Sequence, residues 1–125
     1  MNILLDTHIF LWWLSDDNKL SKEAKLLIAD VDNLVFVSAV SAWEISIKKG
    51  AGKLEAPDTL TEAIYDNNFE ELPITVKHSE NFLKLPYHHS DPFDRMLVAQ
   101  AIAENLQLVT HDKLLRKYCD SVLVV

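Results

Sequence analysis

The sequence predicts an α/β protein: a central, mostly parallel sheet of four to five strands with helices on both faces, a three-layer α/β/α sandwich. Three observations carry this. Short apolar or β-branched runs alternate along the chain with stretches that bear helix start and stop signals. The runs are nearly all apolar, as expected of parallel strands covered on both faces. The 125 residues, 49% hydrophobic and 25% charged, have an ordinary globular composition without repeats, low-complexity tracts or Gly/Ser linkers. That suits one domain spanning residues 1–125.

The elements follow in order. Ile3-Leu4-Leu5 reads as the first strand, closed by Asp6, and Thr7 to Leu14 as the first helix. Ser21 to Val31 is the second helix, with Ser21 as its N-cap. Leu34 to Val37 is the second strand, and the helix Ala39 to Lys49 follows it. Thr59 to Asn68 starts after Pro57-Asp58, with Thr59 and Glu62 spaced as a capping box. Leu72 to Thr75 is a weaker third strand, and its Pro73 suits an edge position. A short helix, Val76 to Leu85, stops at Pro86. Pro92 to Asn105 has the clearest helix signals, with Asp91 as N-cap and proline at the first helical position. Leu106 to Thr110 is the fourth strand, Lys113 to Tyr118 a last short helix, and Val122 to Val125 the fifth strand.

Charge and cysteine content narrow the chemistry. A net charge of -7 argues against nucleic-acid binding through bulk electrostatics. It leaves room for a carboxylate cluster that holds divalent cations, where the cation supplies the positive charge. The lone Cys119 excludes an internal disulfide and a multi-cysteine zinc site. Met1-Asn2 leads directly into the first strand without a signal-peptide pattern, and the apolar runs are far shorter than a membrane span. A soluble cytoplasmic protein with no membrane partner is expected.

Four acids stand where strands end or helices begin: Asp6, Glu44, Asp94 and Asp112. Each has an ordinary structural explanation. Asp6 and Asp112 suit N-caps, Glu44 lies three residues after Ser41 as in a capping box, and Asp94 meets a positive helix end. Together they mean more. In a parallel sheet Asp6, Asp112 and the start of the Glu44 helix share the carboxyl edge, where ligands bind. The Asp94 helix runs back toward the start of the fourth strand, so its N-terminus lies at that edge too. Capping does not require four negative groups on one rim. A divalent cation relieves their repulsion, and oxygen-only ligands suit Mg²⁺ or Mn²⁺ rather than zinc.

The segments Leu4-Leu5-Asp6-Thr7-His8, Ser38-Ala39-Val40-Ser41-Ala42-Trp43-Glu44-Ile45, Asp91-Pro92-Phe93-Asp94-Arg95-Met96-Leu97-Val98-Ala99-Gln100-Ala101 and Leu108-Val109-Thr110-His111-Asp112 resemble the four ordered motifs of PIN domains. The Asp-Pro-Phe-Asp-Arg segment is similar to the branch of toxin nucleases of VapC type. The resemblance covers nearly the whole chain. It implies a PIN-like fold and RNA cleavage with one or two Mg²⁺ or Mn²⁺ ions. Asp6, Glu44 and Asp94 match the core acids, Asp112 the more variable fourth, and Thr7 and Thr110 a small polar position beside them. It also implies a homodimer covered by a segment of a small antitoxin. In that reading Asp6 and Asp94 are direct ligands, Glu44 is a ligand or orients the attacking water, and Asp112 completes a second-ion site or acts through water.

Other features carry less. Arg95 suits a surface salt bridge slightly better than a phosphate contact, and Lys48, Lys49 and Lys53 suit a helix C-terminus as well as an RNA backbone. Gly50-Ala51-Gly52-Lys53 has the wrong spacing and context for a phosphate loop. His88 and His89 read as solvated loop residues, and His8 and His111 as bystanders beside the site. The first helix is apolar nearly all round, so one of Trp12 and Trp13 is expected in the core and the other in an interface. Two other classes fit poorly. A receiver-type signalling domain needs an acidic pair after the first strand and a phosphoacceptor aspartate ending a middle strand; Thr7 follows Asp6 and no such aspartate exists. An aspartate-nucleophile phosphatase needs a second Asp where His8 stands. A non-catalytic RNA-binding scaffold would not need intact acids.

Overall fold

A computed structural model describes residues 1–125. Its strands are β1 (Asn2–Leu5), β2 (Leu34–Ser38), β3 (Glu70–Leu72), β4 (Gln107–Thr110) and β5 (Val122–Val124). The helices are α1 (Thr7–Ser15), α2 (Lys22–Ala29), α3 (Ala39–Gly50), α4 (Leu60–Asp66), α5 (Val76–Lys84) and α6 (Pro92–Glu104), with a 3-10 helix at Lys113–Lys117. All five strands are parallel, in the order β3-β2-β1-β4-β5. The chain winds outward from β1 through β2 to β3, then crosses back to place β4 on the other side of β1. The winding direction therefore reverses between β1 and β4, and a crevice opens there at the carboxyl edge.

Alternation along β1 splits the core into two layers. Ile3 and Leu5 face a cluster that includes Ile9 and Phe10 of α1, Ala24 and Ile28 of α2, and Ile45 of α3. Leu4 faces Leu97, Val98 and Ala101 of α6, with Leu108 and Leu115. All three β1 side chains are fully buried, each stabilising the fold by about 1.5–3 kcal/mol relative to exposure. No helix is long and apolar enough to cross a membrane.

The local signals hold at most ends. Ser21 caps α2 by accepting the Ala24 N–H, and Asp91 caps α6 ahead of Pro92. Several details differ. The third strand is Glu70–Leu72, not Leu72–Thr75, and is an edge strand paired only with β2. Its glutamates are exposed, so it lacks the apolar run that marks a strand covered on both faces. Thr59 makes no side-chain cap bond. The cap of α3 is Ser38 rather than Ser41, which puts Glu44 in the second turn. The last short helix is 3-10 rather than α.

A buried polar chain ties the layers together beneath the carboxyl edge. Ser38 Oγ accepts the Val40 N–H at 3.0 Å and donates to Gln100 Oε1 at 2.6 Å. Gln100 Nε2 lies 3.3 Å from both the Pro73 carbonyl and His78 Nδ1. His78 Nε2 meets Glu104 Oε1 at 2.9 Å. Gln100 is fully buried, so its amide links α6 to the α3 cap and to the chain leaving β3. Gln100→Leu keeps the size and strands these partners. We expect it to lower stability by about 1–3 kcal/mol. Urea denaturation should show a lower midpoint at unchanged slope, and an unchanged midpoint would refute the role.

Candidate active site

Asp6 immediately follows β1, and its backbone N–H continues the ladder by donating to the Val109 carbonyl at 3.0 Å. The carboxylate is nearly buried. Oδ1 accepts the Ile9 N–H at 2.9 Å as the α1 cap, and Oδ2 accepts the Thr110 hydroxyl at 2.5 Å. Thr110 Oγ1 also accepts the Asp112 N–H at 3.0 Å, so one hydroxyl at the end of β4 joins two of the four acids. Burial pushes the Asp6 carboxyl up, against the pull of its Thr110 and Ile9 hydrogen bonds.

Glu44 points from α3 into the same place and is buried. Its Oε1 accepts the Thr7 hydroxyl at 2.6 Å, and Thr7 Oγ1 lies 3.0 Å from Ser41 Oγ. Its Oε2 pairs with Lys48 one turn on. That bond raises the Lys48 pKa against partial desolvation, and the fields of Asp91 and Asp94 raise it further. Lys48 therefore belongs to the acidic rim. Lys49 turns away to the Ala56 carbonyl and Asp58.

Asp94 lies in the first turn of α6. Its carboxyl is pushed up to about 7, first by burial and then by Asp91, Asp6 and Glu44, while His89 pulls the other way. Asp112 caps the 3-10 helix, with Oδ1 accepting the Leu114 N–H at 2.9 Å. Its Oδ2 lies 2.7 Å from His89 Nε2, and side-chain polar atoms of His89, Asp94 and Asp112 fall within 4.8 Å of one another. The fold thus brings Asp6, Glu44 and Asp94 within one another's fields and Asp112 against Asp94.

His89 was expected to be solvated and instead enters the rim. The available signal was position: a residue two before the cap of the Asp94 helix must pass the same edge. Arg95 makes neither a salt bridge nor an approach to the acids. Its guanidinium lies 4.6 Å from the Phe82 ring centroid and 5.2 Å from that of Tyr87, with Nη2 3.4 Å from the Leu85 carbonyl. His8 and His111 remain exposed and contact the Trp12 ring.

The residues fit a hard divalent cation. Four carboxylates supply oxygen donors, and two of them are held with raised pKa, first by burial and then by neighbouring carboxylates. The sign of the pH dependence follows. Asp94 stands at about 7 in the folded chain against an ordinary 3.8. Between those values the folded chain holds more protons than the unfolded one, so stability falls as pH rises through that window. We expect metal-free protein to melt lower at about pH 7 than at about pH 5, Asp94→Asn to flatten that fall, and Mg²⁺ or Mn²⁺ to reverse it. Melting temperatures that climb across this window in EDTA would contradict the arrangement.

Comparison with known proteins identifies the family and the fold. The PIN domain model matches residues 3–121. Ribonuclease VapC22 of Mycobacterium tuberculosis is 28% identical over 119 residues, covering 93% of this chain and 91% of its own. Among solved structures, VapBC2 from Rickettsia felis bound to a promoter DNA fragment aligns with TM-score 0.70 at 18% identity, over 100% of this chain and 98% of that one. A toxin-antitoxin complex from Klebsiella pneumoniae aligns with TM-score 0.67 at 20% identity, over 98% and 96%. FitAcB from Neisseria gonorrhoeae gives 0.65 at 18%, also over 98% and 96%. At these identities the structures establish the fold alone. The family model extends over nearly the whole chain, through all four acidic segments, and the chain belongs to the PIN-domain family.

Proposed function

We propose that this protein is a metal-dependent endoribonuclease, cytoplasmic, and the toxin of a toxin–antitoxin pair. The observation that carries the reading is the mutual approach of Asp6, Glu44 and Asp94 on one rim, with Asp112 against Asp94. The ribonuclease relative and the toxin-antitoxin structures support it.

Asp6, Glu44, Asp94 and Asp112 would hold one or two Mg²⁺ or Mn²⁺ ions, which supply Lewis-acid stabilisation of the phosphoryl oxygens and a more acidic water. The chain's own groups do the rest. Thr110 and the Ile9 N–H hold Asp6 in one rotamer, and Thr7 does the same for Glu44. Asp94 must shed its proton before it can act as a ligand. Water attacks phosphorus, the bond to the leaving ribose oxygen breaks, and that oxygen takes up a proton. A rim carboxylate accepts the proton lost by the water. Lys48 brings positive charge to the phosphate side of an otherwise acidic rim.

Two surfaces suit protein partners. A groove of about 710 Å³ runs between α1 and the α3–α4 connection, lined by His8, Leu11, Trp12, Leu14, Leu54 and Pro57. It begins two residues from Asp6, so an antitoxin segment seated there reaches the acids. Trp12 is the tryptophan presented to it. Trp13, half-buried as Trp12 is, packs instead on Phe69 and donates its indole N–H to Asn67 Oδ1 at 3.0 Å. On another side, exposed Trp43 and Ile74 flank Phe93 and Phe82, an apolar face suited to a second copy of the chain.

Activity should vanish in EDTA and return with Mn²⁺ or Mg²⁺. Asp6→Asn and Asp94→Asn should each lose at least about 100-fold in RNA cleavage, since each removes a charged ligand. Contaminant-free cleavage that survives either change ends this assignment. For the partner, Trp12→Ala should weaken antitoxin binding by about tenfold or more, whereas Trp13→Ala should chiefly lower stability. Equal antitoxin affinity in wild type and Trp12→Ala would move the docking surface elsewhere.

A further inference from the structure

The hydrogen bonds of His89 assign the positions of its ring proton and lone pair. Its Nδ1 accepts the Asp91 backbone N–H at 3.0 Å, which occupies the ring's lone pair. The ring hydrogen therefore sits on Nε2, an assignment read from the bonding network. Nε2 lies 2.7 Å from Asp112 Oδ2 and 3.7 Å from Asp94 Oδ2. A nitrogen that carries hydrogen has no lone pair to offer a cation. Proximity alone would have made His89 a ligand alongside Asp94 and Asp112; its hydrogen bonds make it a donor.

We propose that His89 is a positioning residue that holds the Asp112 carboxylate beside Asp94 through its Nε2–H. This rests on the reading of the site as a cation-dependent nuclease. Asp112 is partly exposed and faces another carboxylate, so its side chain has room to swing outward. The Leu114 N–H restrains one oxygen and His89 the other. The restraint reaches further. Asp91, whose N–H fixes the His89 ring, also caps α6 through the Phe93 and Asp94 N–H groups. One residue thus sets both the helix start that presents Asp94 and the ring that holds Asp112. Tyr118 anchors the loop from the far side, its hydroxyl oxygen accepting the N–H groups of His88 and His89 at 3.1 and 3.0 Å.

The test uses side chains that reproduce one ring nitrogen at a time. Glutamine places an amide N–H near the position of Nε2, whereas asparagine reaches only as far as Nδ1. Mn²⁺ affinity of the purified chain is measured by spin resonance of the free ion, alongside kcat and KM for RNA. His89→Ala and His89→Asn should lose about 10–100-fold in Mn²⁺ affinity, the usual effect of removing a group that orients a ligand, and His89→Gln should recover most of it. At saturating Mn²⁺ the alanine variant should regain kcat with KM unchanged. In an Asp112→Asn background His89→Ala should cost almost nothing more, because its route of action is gone. Should His89→Ala fold poorly, Tyr118→Phe, which removes an acceptor of the loop's N–H groups, should show a smaller loss in the same direction. Wild-type affinity in folded His89→Ala, an undiminished effect in the Asp112→Asn background, or a ¹⁴N coupling from His89 to bound Mn²⁺ would each overturn the proposal. Wild type that binds no Mn²⁺ would instead overturn the nuclease reading and this proposal with it.

Discussion

Burial of several carboxylates close together at one sheet edge is the constraint around which the local structure of this protein is arranged. Asp6 and Asp94 are held with raised pKa, so the metal-free rim is electrostatically unfavourable. Three of the four acids are nevertheless held by a neutral or positive donor. Thr110 serves Asp6, Thr7 and Lys48 serve Glu44, and His89 serves Asp112. Asp94 has the least support, with His89 at 3.7 Å as its nearest cationic or donor side chain, and it is the group that stands at about 7.

The sheet order explains why these groups meet. With β1 central and β4 beside it, the residues that follow both strands emerge at the point where winding reverses. Asp6 and Asp112 are those residues, and Thr110 bridges them. Glu44 and Asp94 arrive on α3 and α6, whose N-termini must lie at the same edge because each helix returns from it. Packing then sets the depth. Ile45 of α3 is buried in the layer with Ile3 and Leu5, while Val40 of α3 is buried with Leu97 and Val98 of α6 in the other, which fixes how far each helix carries its acid into the crevice.

Residues tied to strand ends and caps were legible from sequence. Asp6, Asp94 and Asp112 follow apolar runs or a Pro-initiated helix, and period and capping chemistry locate those well. What depended on lateral contact was not legible. His89 enters the rim because Tyr118 and Asp91, distant or backbone partners, bend its loop inward. Arg95 is turned aside by Phe82 and Tyr87, which no spacing rule pairs with it. Strand β3 carries two exposed glutamates and is recognisable only through its pairing with β2. Lys48 could be read as a solvated helix end until Glu44 was seen to face it across one turn.

For Asp6 and Asp112, capping a helix and facing the rim are compatible. A carboxylate has two oxygens, and a cap uses one. Asp6 gives Oδ1 to the Ile9 N–H and Asp112 gives Oδ1 to the Leu114 N–H, leaving Oδ2 in both cases for the rim. The positive end of α1 then stabilises the charge of Asp6, and that of α6 does so for Asp94. Glu44, in the second turn of α3, is too far along for that help and has Lys48 in its place. Capping is thus part of how the site tolerates its own charge. Asparagine caps a helix about as well as aspartate, so replacing Asp6 by Asn removes charge from the rim while leaving the start of α1 intact. Loss of activity in that variant would report on the chemistry rather than on the fold.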